Sequence, residues 1–331
     1  MQPKPFFVNL FAFLILTIAL QGCKPARPGI YSNDQIKSGQ RDDFHSLNTK
    51  LLTELKANNP HLLEGLMSNE FIADGTRLRQ IELLSNRLNE ADYELLDEFY
   101  IVNDPKDKST IKAEDRGINN YNMHYDTLTH EIYIAHFVPK KNAIRYMITA
   151  VYGKYDYGWK VNRFDLDEYA VNGKTAPELY KLAKEDYDKK YLVDAANLIQ
   201  QAQDCIHPCQ GWQYQQEAEI KGFADKASDE LNRKYNFPYT LKQVSTMPMV
   251  FRVLTQKTDD GVFPMVYYLS DIKLTNVAAL NKENEQVKKV IGKVMPGIDK
   301  DKKYILYSVF NQMPDGSKAF DHYDITDKLQ P

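Results

Sequence analysis

Three ionisable side chains that lie close together in the sequence, His124, Asp126 and His130, have the residue types that acid–base chemistry needs. If Thr127–Thr129 forms the turn of a hairpin, Asp126 faces His130 across the strand pair and His124 lies next along the same face. A carboxylate beside an imidazole can move protons, so this cluster is the candidate catalytic site. The alternative is a cross-strand ion pair on a solvated sheet face, which has no catalytic role.

The cysteine pair Cys205 and Cys209 offers a second kind of chemistry. Its spacing allows a disulfide over a helix end, which requires Cα atoms about 4.4–6.8 Å apart. Two free thiols are the alternative. A zinc site that also uses His207 lacks an evident fourth ligand. We therefore expect no metal and no cofactor.

Aromatic residues are concentrated at one predicted hairpin end, where Tyr155, Tyr157 and Trp159 alternate. Exposed rings in such a position can stack on a ligand or cap an apolar pocket. Packing in the core and the general preference of tyrosine for strands explain the same pattern. The three rings are thus candidate ligand-stacking residues, with core packing as the alternative.

The N-terminus has the layout of a secretory signal peptide, because Lys4 precedes the apolar run Phe6–Leu20, which is too short to span a bilayer comfortably. The sequence Leu20-Gln21-Gly22-Cys23 resembles the lipobox of bacterial lipoproteins. That resemblance implies removal of residues 1–22 and lipidation of Cys23, including a palmitate-type acyl chain. The alternative is a buried apolar helix, which the Pro- and Gly-containing segment 24–29 would interrupt.

A lipid on Cys23 implies that the partner is a membrane and that the protein lies in the bacterial cell envelope, at the outer membrane. Residues 23–40 then form a lipidated tether. The chain of 331 residues carries 42 Lys and Arg against 45 Asp and Glu, so no basic excess indicates a nucleic-acid partner. Other envelope proteins are the remaining class of partner.

The candidate residues must be positioned by helices and strands, and the order of the predicted helices and strands indicates an α+β fold. In residues 41–172, helical apolar spacing that buries Phe44, Leu51 and Leu78 precedes a series of strands. The predicted strands are Tyr93–Asn103, Asn120–Asp126, His130–Val138, Ala143–Tyr152 and Trp159–Phe164, with a turn at Asp156-Tyr157-Gly158. We expect cone-like helices that cover one face of a curved antiparallel sheet.

Two stretches of this first domain, Leu62–Ile72 and Gly158–Val161, resemble the nuclear transport factor two-like cone fold in style and order. The resemblance covers about 125 residues and includes no diagnostic motif. Because that family contains enzymes, ligand binders and interaction modules, the likeness implies a fold and leaves the function open.

The rest of the chain predicts two further units. In residues 173–236 the small and apolar positions Leu182, Ala183, Ala195, Ile199 and Ala202 resemble a single tetratricopeptide repeat, and Gln213–Tyr235 predicts a helix that caps the pair. A helical connector without a peptide groove is the alternative. Residues 237–331 predict a ββαββ domain, with a helix over Val277–Met295 and a second hairpin around Pro314-Asp315-Gly316.

Three functions remain compatible with this organisation. The first is an envelope lipoprotein that acts as a non-catalytic binding or assembly module. The second is an enzyme or small-ligand binder that uses the pocket of the cone-like domain, with His124, Asp126 and His130 as its residues. The third is an accessory protein of a glycan-uptake complex. An open concave face would favour the second, whereas a face filled by apolar side chains would favour binding through outer surfaces.

Overall fold

The structure is a computed structural model that describes residues 27–103, 109–316 and 319–329. The predicted signal peptide, Cys23 and the first part of the tether lie outside the described residues. The chain is mixed α+β, as predicted, with eight α-helices and three sheets in its described part. Across these same residues no helix is both long and apolar enough to cross a membrane.

The helices fall into three groups along the chain. They are α1 Ser38–Lys56, α2 Pro60–Glu64, α3 Asn69–Ala73, α4 Arg77–Glu90, α5 Ala176–Asp188, α6 Leu192–Asp204, α7 Glu217–Tyr235 and α8 Val277–Val294. Hydrogen bonds from side chains cap the N-termini of some of these helices. Ser68 Oγ accepts from the Phe71 amide at 3.2 Å at the start of α3, and a capping box of Thr175 with Glu178 opens α5.

Thirteen strands accompany the helices in the described residues. They are β1 Gly29–Ser32, β2 Tyr93–Val102, β3 Thr110–Ala113, β4 Tyr121–His124, β5 Glu131–Pro139, β6 Ile144–Tyr155, β7 Gly158–Val171, β8 Trp212–Tyr214, β9 Tyr239–Thr240, β10 Met249–Thr258, β11 Gly261–Leu269, β12 Tyr304–Phe310 and β13 Tyr323–Lys328.

The first sheet is fully antiparallel, in the order β1-β2-β5-β6-β7. Both of its faces are covered, because neighbouring residues of β5 enter different cores. Tyr133 belongs to the core that contains Phe44 and Leu51 of α1, whereas Ile134 belongs to the core that contains Ile199 of α6. A strand that is buried on both faces needs apolar residues at consecutive positions, which β5 has. The sequence predicted the helical cover on one face only.

The helices α1 to α4 confirm most of the predicted apolar stripes. Phe44 and Leu51 of α1 are buried, as expected. Leu78 was expected in the core and is 54% exposed, because α4 turns Ile81, Leu84 and Leu88 toward the sheet instead. The turn between β6 and β7 forms where predicted, since Tyr155 pairs with Gly158.

A second, three-stranded sheet corrects the predicted hairpin around Thr127–Thr129. Its order is β3-β4-β8, so β4 belongs to a different sheet from β5 and the two strands do not pair. The third strand, β8, comes from the segment predicted as the start of a capping helix, which in fact begins at Glu217. Tyr121 of β4 stacks on Trp212 of β8, with ring centroids 3.4 Å apart, and both are buried. This aromatic pair favours strand pairing between distant segments over the local hairpin.

The third sheet has the order β13-β12-β11-β10-β9. The chain passes through β10, β11, α8, β12 and β13, and the crossover through α8 makes β11 and β12 parallel. Leu280, Val287 and Ile291 of α8 cover one face of this sheet. The link between β12 and β13 runs from Phe310 to Tyr323, which is longer than the turn predicted at residues 314–316.

Candidate functional site

A cleft of about 810 Å³ lies where three parts of the chain meet. The first sheet contributes the residues just before β6 and just after β7, the helical segment contributes one face of α5 and α6, and the third sheet contributes the start of β11 and the loop before β12. Pockets of about 300–1,000 Å³ are typical of small-ligand sites, and junctions between structural units are a common place for them.

The floor of the cleft is a row of polar side chains on α6. Asp194, Asn197 and Gln201 follow one another at helical spacing, so they lie on one face. All three are buried, with exposures of 2%, 9% and 5%. The neighbouring positions Ile199 and Ala202 enter the core below the first sheet. This polar row is a functional signal that our sequence reasoning missed.

Asp194 is paired with a lysine from the far side of the cleft. Lys302 Nζ donates to Asp194 Oδ2 at 2.9 Å, to the Gly297 carbonyl at 3.1 Å and to the Lys300 carbonyl at 2.8 Å. Burial raises the pKa of Asp194 to about 6, and Lys302 opposes that shift without cancelling it. The carboxyl group can therefore change its charge near neutral pH.

Asn172, just after β7, ties the three parts together. Its Oδ1 accepts from the Val262 amide at 2.8 Å, and its Nδ2 donates to the Val262 carbonyl at 2.9 Å. The same Nδ2 lies 3.2 Å from Gln201 Oε1 on α6. Asn172 has φ +50°, a left-handed conformation that asparagine tolerates better than most residues.

Two glycines allow the loops of the third sheet to approach this closely. A Cβ on Gly297, which has φ +96°, would lie 2.5 Å from Tyr191 Cγ and 2.7 Å from Asp194 Oδ2. A Cβ on Gly261, which has φ +137°, would lie 2.5 Å from Asn172 Oδ1. Both positions therefore require glycine for the conformation and for the space.

Two polar atoms of the floor lack partners. Asp194 Oδ1 and Asn197 Nδ2 are shielded from solvent and have no hydrogen bond within the described chain. An unsatisfied buried donor or acceptor costs about 1–3 kcal/mol. Eighteen such side-chain atoms occur in the described residues, and these two are the ones that belong to side chains lining the cleft. One is an acceptor and the other a donor, and both side chains line the same cleft.

The walls and the rim differ in chemistry. Apolar side chains form the walls: Leu179, Leu182, Leu198, Val262, Phe263 and Pro264. Lysines and carboxylates both occur at the rim, and three of the lysines form local ion pairs: Lys189 with Asp186 at 3.1 Å, Lys300 with Asp299 at 3.8 Å and Lys302 with Asp194. The cleft therefore presents a polar floor, an apolar wall and charges of both signs.

The residues predicted to form an acid–base cluster are not brought together as a hairpin pair. His124 Nδ1 lies 2.9 Å from Thr110 Oγ1 in the second sheet, and Asp126 accepts from Arg163 at 3.4 Å. His124, Asp126 and His130 are all exposed. The cross-strand geometry that would make a catalytic pair is therefore missing.

The predicted stacking residues divide between surface and core. Tyr155 and Tyr157 stack on each other with centroids 5.0 Å apart, and Tyr157 is 50% exposed. Trp159 packs edge-on against Phe44 at 5.0 Å and contributes to the core under α1. The tyrosine pair is a surface feature, whereas the tryptophan has the packing role that was the alternative.

Cys205 and Cys209 are free thiols, which is the alternative to the disulfide. Cys205 Sγ points back to the Gln201 carbonyl at 3.3 Å, and Cys209 Sγ lies 3.8 Å from Met123 Sδ. Nearby His207 contacts the Trp212 carbonyl at 3.0 Å. Among the residues that the structure describes, no group of three or more His, Cys, Asp or Glu side chains could hold a metal ion.

The interior of the first domain is filled. Phe44 stacks on Tyr133 with centroids 4.0 Å apart, in a core under α1 that also contains Tyr152 and Leu51. A buried carboxylate that the sequence analysis missed, Glu98, is enclosed there. A concave face that is filled by apolar side chains favours binding elsewhere on the molecule.

Glu98 is 0% exposed and is in contact with three hydrogen-bond donors from neighbouring side chains. His45 Nε2 lies 3.1 Å from both of its oxygens, Tyr133 Oη donates at 2.8 Å, and Arg41 Nε also donates. A network of this kind fixes the position of α1 on the sheet and engages both oxygens of the carboxylate.

Comparisons with protein-family models, with curated proteins and with solved structures give no match for this chain.

Proposed function

We propose that this protein is a bacterial envelope lipoprotein that binds a ligand without transforming it, in the cleft between α5–α6 and the third sheet. The observation that carries the proposal is the pair of unsatisfied buried atoms, Asp194 Oδ1 and Asn197 Nδ2, on the floor of an 810 Å³ cleft. A ligand that supplies an acceptor and a donor there would recover the free energy that these atoms cost the empty protein.

Binding is favoured over catalysis by the chemistry of the lining. Among the described residues that line the cleft, none is Ser, Thr, Cys or His, the side chains that most often act as nucleophiles or general bases. The one carboxyl group on the floor, Asp194, is engaged by Lys302. An enzyme that uses the interior of the first domain is the weaker alternative, because Phe44 and Tyr133 fill that space.

The finer architecture is part of the proposal. The helices α1 to α4 on the antiparallel sheet form the cone-like domain, α5 and α6 form the tetratricopeptide-like hairpin, and the strands around α8 form the C-terminal ββαββ domain. In this arrangement the cleft uses all three units, since α6 supplies the floor and the two sheets supply the sides. An accessory role in glycan uptake is a narrower form of the same binding function.

The envelope placement depends on Cys23, whose lipid would hold the folded body at the membrane. A Cys23→Ser variant should move from the membrane fraction to the soluble fraction of lysed cells, and a Ser46→Ala variant on the exposed side of α1 should stay with the membrane. Membrane retention of the Cys23→Ser protein would contradict the lipid anchor.

The binding site itself is tested by filling it. Leu182 lies on the cleft wall and is only partly buried, so Leu182→Trp should block the cleft while the protein stays folded. Leu83→Trp, at a 46% exposed position of α4, is the matched control. Native mass spectrometry of protein purified from the envelope should show an added mass on the wild type and on Leu83→Trp, and not on Leu182→Trp. Equal added mass on all three proteins, or none on the wild type, would refute the cleft as the site.

A further inference from the structure

We propose that the ligand of this cleft is a short peptide with free termini. This inference rests on the proposed binding function and adds the chemical class of the ligand. It follows from three features of the cleft: the hydrogen-bonding pair on the floor, the apolar wall above it and the charges of both signs at the rim.

The cleft floor is suited to a ligand group that has a hydrogen-bond donor and a hydrogen-bond acceptor at neighbouring points. Asp194 Oδ1 needs a donor and Asn197 Nδ2 needs an acceptor. The two residues are three positions apart on α6, which places their Cβ atoms about 5–6 Å from each other. A peptide backbone offers an N–H and a C=O at every residue, so one extended segment satisfies both atoms.

A small rotation gives the ligand access to these atoms. Both atoms are shielded from solvent in the empty cleft, although the side chains of Asp194 and Asn197 line it. The χ2 torsions of aspartate and asparagine have broad minima, so the Asn197 amide can turn at little cost, whereas turning the Asp194 carboxylate also moves Oδ2, which accepts from Lys302. Lys302 holds only Oδ2 of Asp194, which leaves Oδ1 for the ligand.

The apolar wall fits a single side chain of such a peptide. Leu182 of α5 and Leu198 of α6 line the cleft and are only partly buried, so a ligand side chain can contact them. Burying one leucine-sized side chain against them would strengthen the binding of a ligand of a few residues. A cleft of about 810 Å³ accepts a few residues and not a folded partner.

The rim favours a zwitterion over a polyanion or a polycation. Lys141, Lys174 and Lys303 line the cleft and form no salt bridge within the described part of the chain. The carboxylates of Glu185 and Asp301 also line it and are unpaired in the same sense. A free peptide carries one charge of each sign at its ends, so it can satisfy a lysine and a carboxylate at once.

An oligosaccharide also has neighbouring donors and acceptors, but the rings of this cleft offer it little stacking surface. Tyr191 lies under the Gly297 backbone, where an added Cβ would be 2.5 Å from its ring. Phe263 is 6% exposed and packs edge-on against Tyr304 at 5.0 Å. Sugars therefore lack the open aromatic faces on which they usually stack, whereas a peptide does not need them.

The test uses the full-length protein immobilised after detergent extraction. The probes are an equimolar mixture of random tripeptides, the same mixture with acetylated N-termini and amidated C-termini, and maltotriose. We expect retention of free tripeptides, at least tenfold weaker retention of the capped mixture and no retention of maltotriose, each quantified by mass spectrometry.

Two substitutions of Asn197 test whether the retention of tripeptides depends on the cleft floor. Asn197→Asp replaces the donor Nδ2 by an acceptor and should reduce tripeptide retention at least tenfold. Gln200→Glu makes the same amide-to-carboxylate change at an exposed position of α6 and should retain tripeptides as the wild type does. Circular dichroism and the thermal midpoint show whether both variants fold, and Asn197→Leu, which removes the donor without adding charge, should show the same loss.

The outcomes separate the two proposals. Retention of maltotriose without tripeptides, or tripeptide retention that Asn197→Asp and Asn197→Leu leave unchanged, would overturn the peptide inference. If tripeptides are not retained while the envelope-purified protein still carries a mass that Leu182→Trp abolishes, the ligand class is wrong and the proposed binding function stands. If that added mass is absent as well, both proposals fail.

Discussion

The side chain of Asn172 hydrogen-bonds to both backbone groups of Val262, accepting from its amide at 2.8 Å and donating to its carbonyl at 2.9 Å. A side-chain amide here imitates the pairing of one strand with the next. The start of β11 is thereby fixed to the end of β7, although the two strands belong to different sheets. Asn172 also contacts Gln201, so one residue sets the relative position of the cleft floor and two of its sides.

Asn172→Ala should destabilise the protein by about 2–3 kcal/mol. The variant leaves two backbone groups of Val262 without their partners and places alanine at φ +50°. Urea unfolding, followed by tyrosine and tryptophan fluorescence, measures the change in the free energy of unfolding. We also expect the variant to bind a ligand in the cleft with lower affinity than the wild type.

Asn58→Ala isolates the backbone part of this effect. Asn58 also has φ +50° and is exposed, so the substitution changes the strain and removes no contact to the third sheet. We expect a loss of only about 1 kcal/mol. Equal losses for the two variants would show that the hydrogen bonds to Val262 do not hold the sheets together.

Asp194 should make the protein more stable as the pH falls toward 5. Its folded-state pKa is raised to about 6 from an ordinary value of 3.8, mainly by burial. Above pH 6 both states are ionised, and the folded state bears the cost of a buried charge. Between about pH 6 and pH 4 only the folded state takes up the proton, which adds roughly 2–3 kcal/mol to the free energy of unfolding.

Asp194→Asn removes that titration, so the gain in stability between pH 7.5 and pH 4.5 should be smaller than in the wild type. Other buried carboxyls titrate in the same interval, and the difference between the two proteins cancels their contribution. Asp188→Asn, at an exposed position near the end of α5, is the control and should follow the wild type. A variant that keeps the full wild-type pH dependence would contradict the assignment to Asp194.

Glu98→Ala should cost about 3 kcal/mol or more. Glu98 accepts from Arg41, His45 and Tyr133 inside the core under α1, and its removal leaves these donors without an acceptor. The thermal midpoint and urea unfolding report the loss. Glu90→Ala removes a surface ion pair with Arg87 at 2.7 Å and should change stability by less than about 1 kcal/mol. A Glu98→Ala protein as stable as Glu90→Ala would show that the network does not position α1.

The sequence patterns correctly predicted the helices and turns whose formation depends on residues close together in the chain. The helical stripes of α1 and α8 and the turn between Tyr155 and Gly158 follow from periodicity and from glycine at a positive φ. The predicted pairing of β4 with β5 is wrong because Tyr121 finds a better partner in Trp212, which lies far along the chain. No spacing rule ranks a distant aromatic pair against a short loop.

The candidate site could not be predicted from such patterns either, because its residues come from segments that are distant in the sequence. Asp194, Asn197 and Lys302 come from segments whose proximity depends on how the third sheet packs on α6. One signal was available, since polar residues at positions 194, 197 and 201 recur at helical spacing on a helix with an apolar opposite face. Only the structure shows that this stripe is buried and that two of its atoms lack partners.

Cys205 and Cys209 should both react as free thiols, and only after unfolding. Their exposures are 0% and 3%, and burial raises the pKa of each thiol, so neither forms the reactive thiolate in the folded protein. In a Cys23→Ser protein without reductant, iodoacetamide should add no label under native conditions and two labels in urea, measured by intact mass. A thiol introduced by Ser46→Cys, on the exposed side of α1, should be labelled at once and shows that the reagent is active. A disulfide would give no label in urea until a reductant is added, and that result would contradict the geometry in which Cys205 faces Gln201 and Cys209 faces Met123.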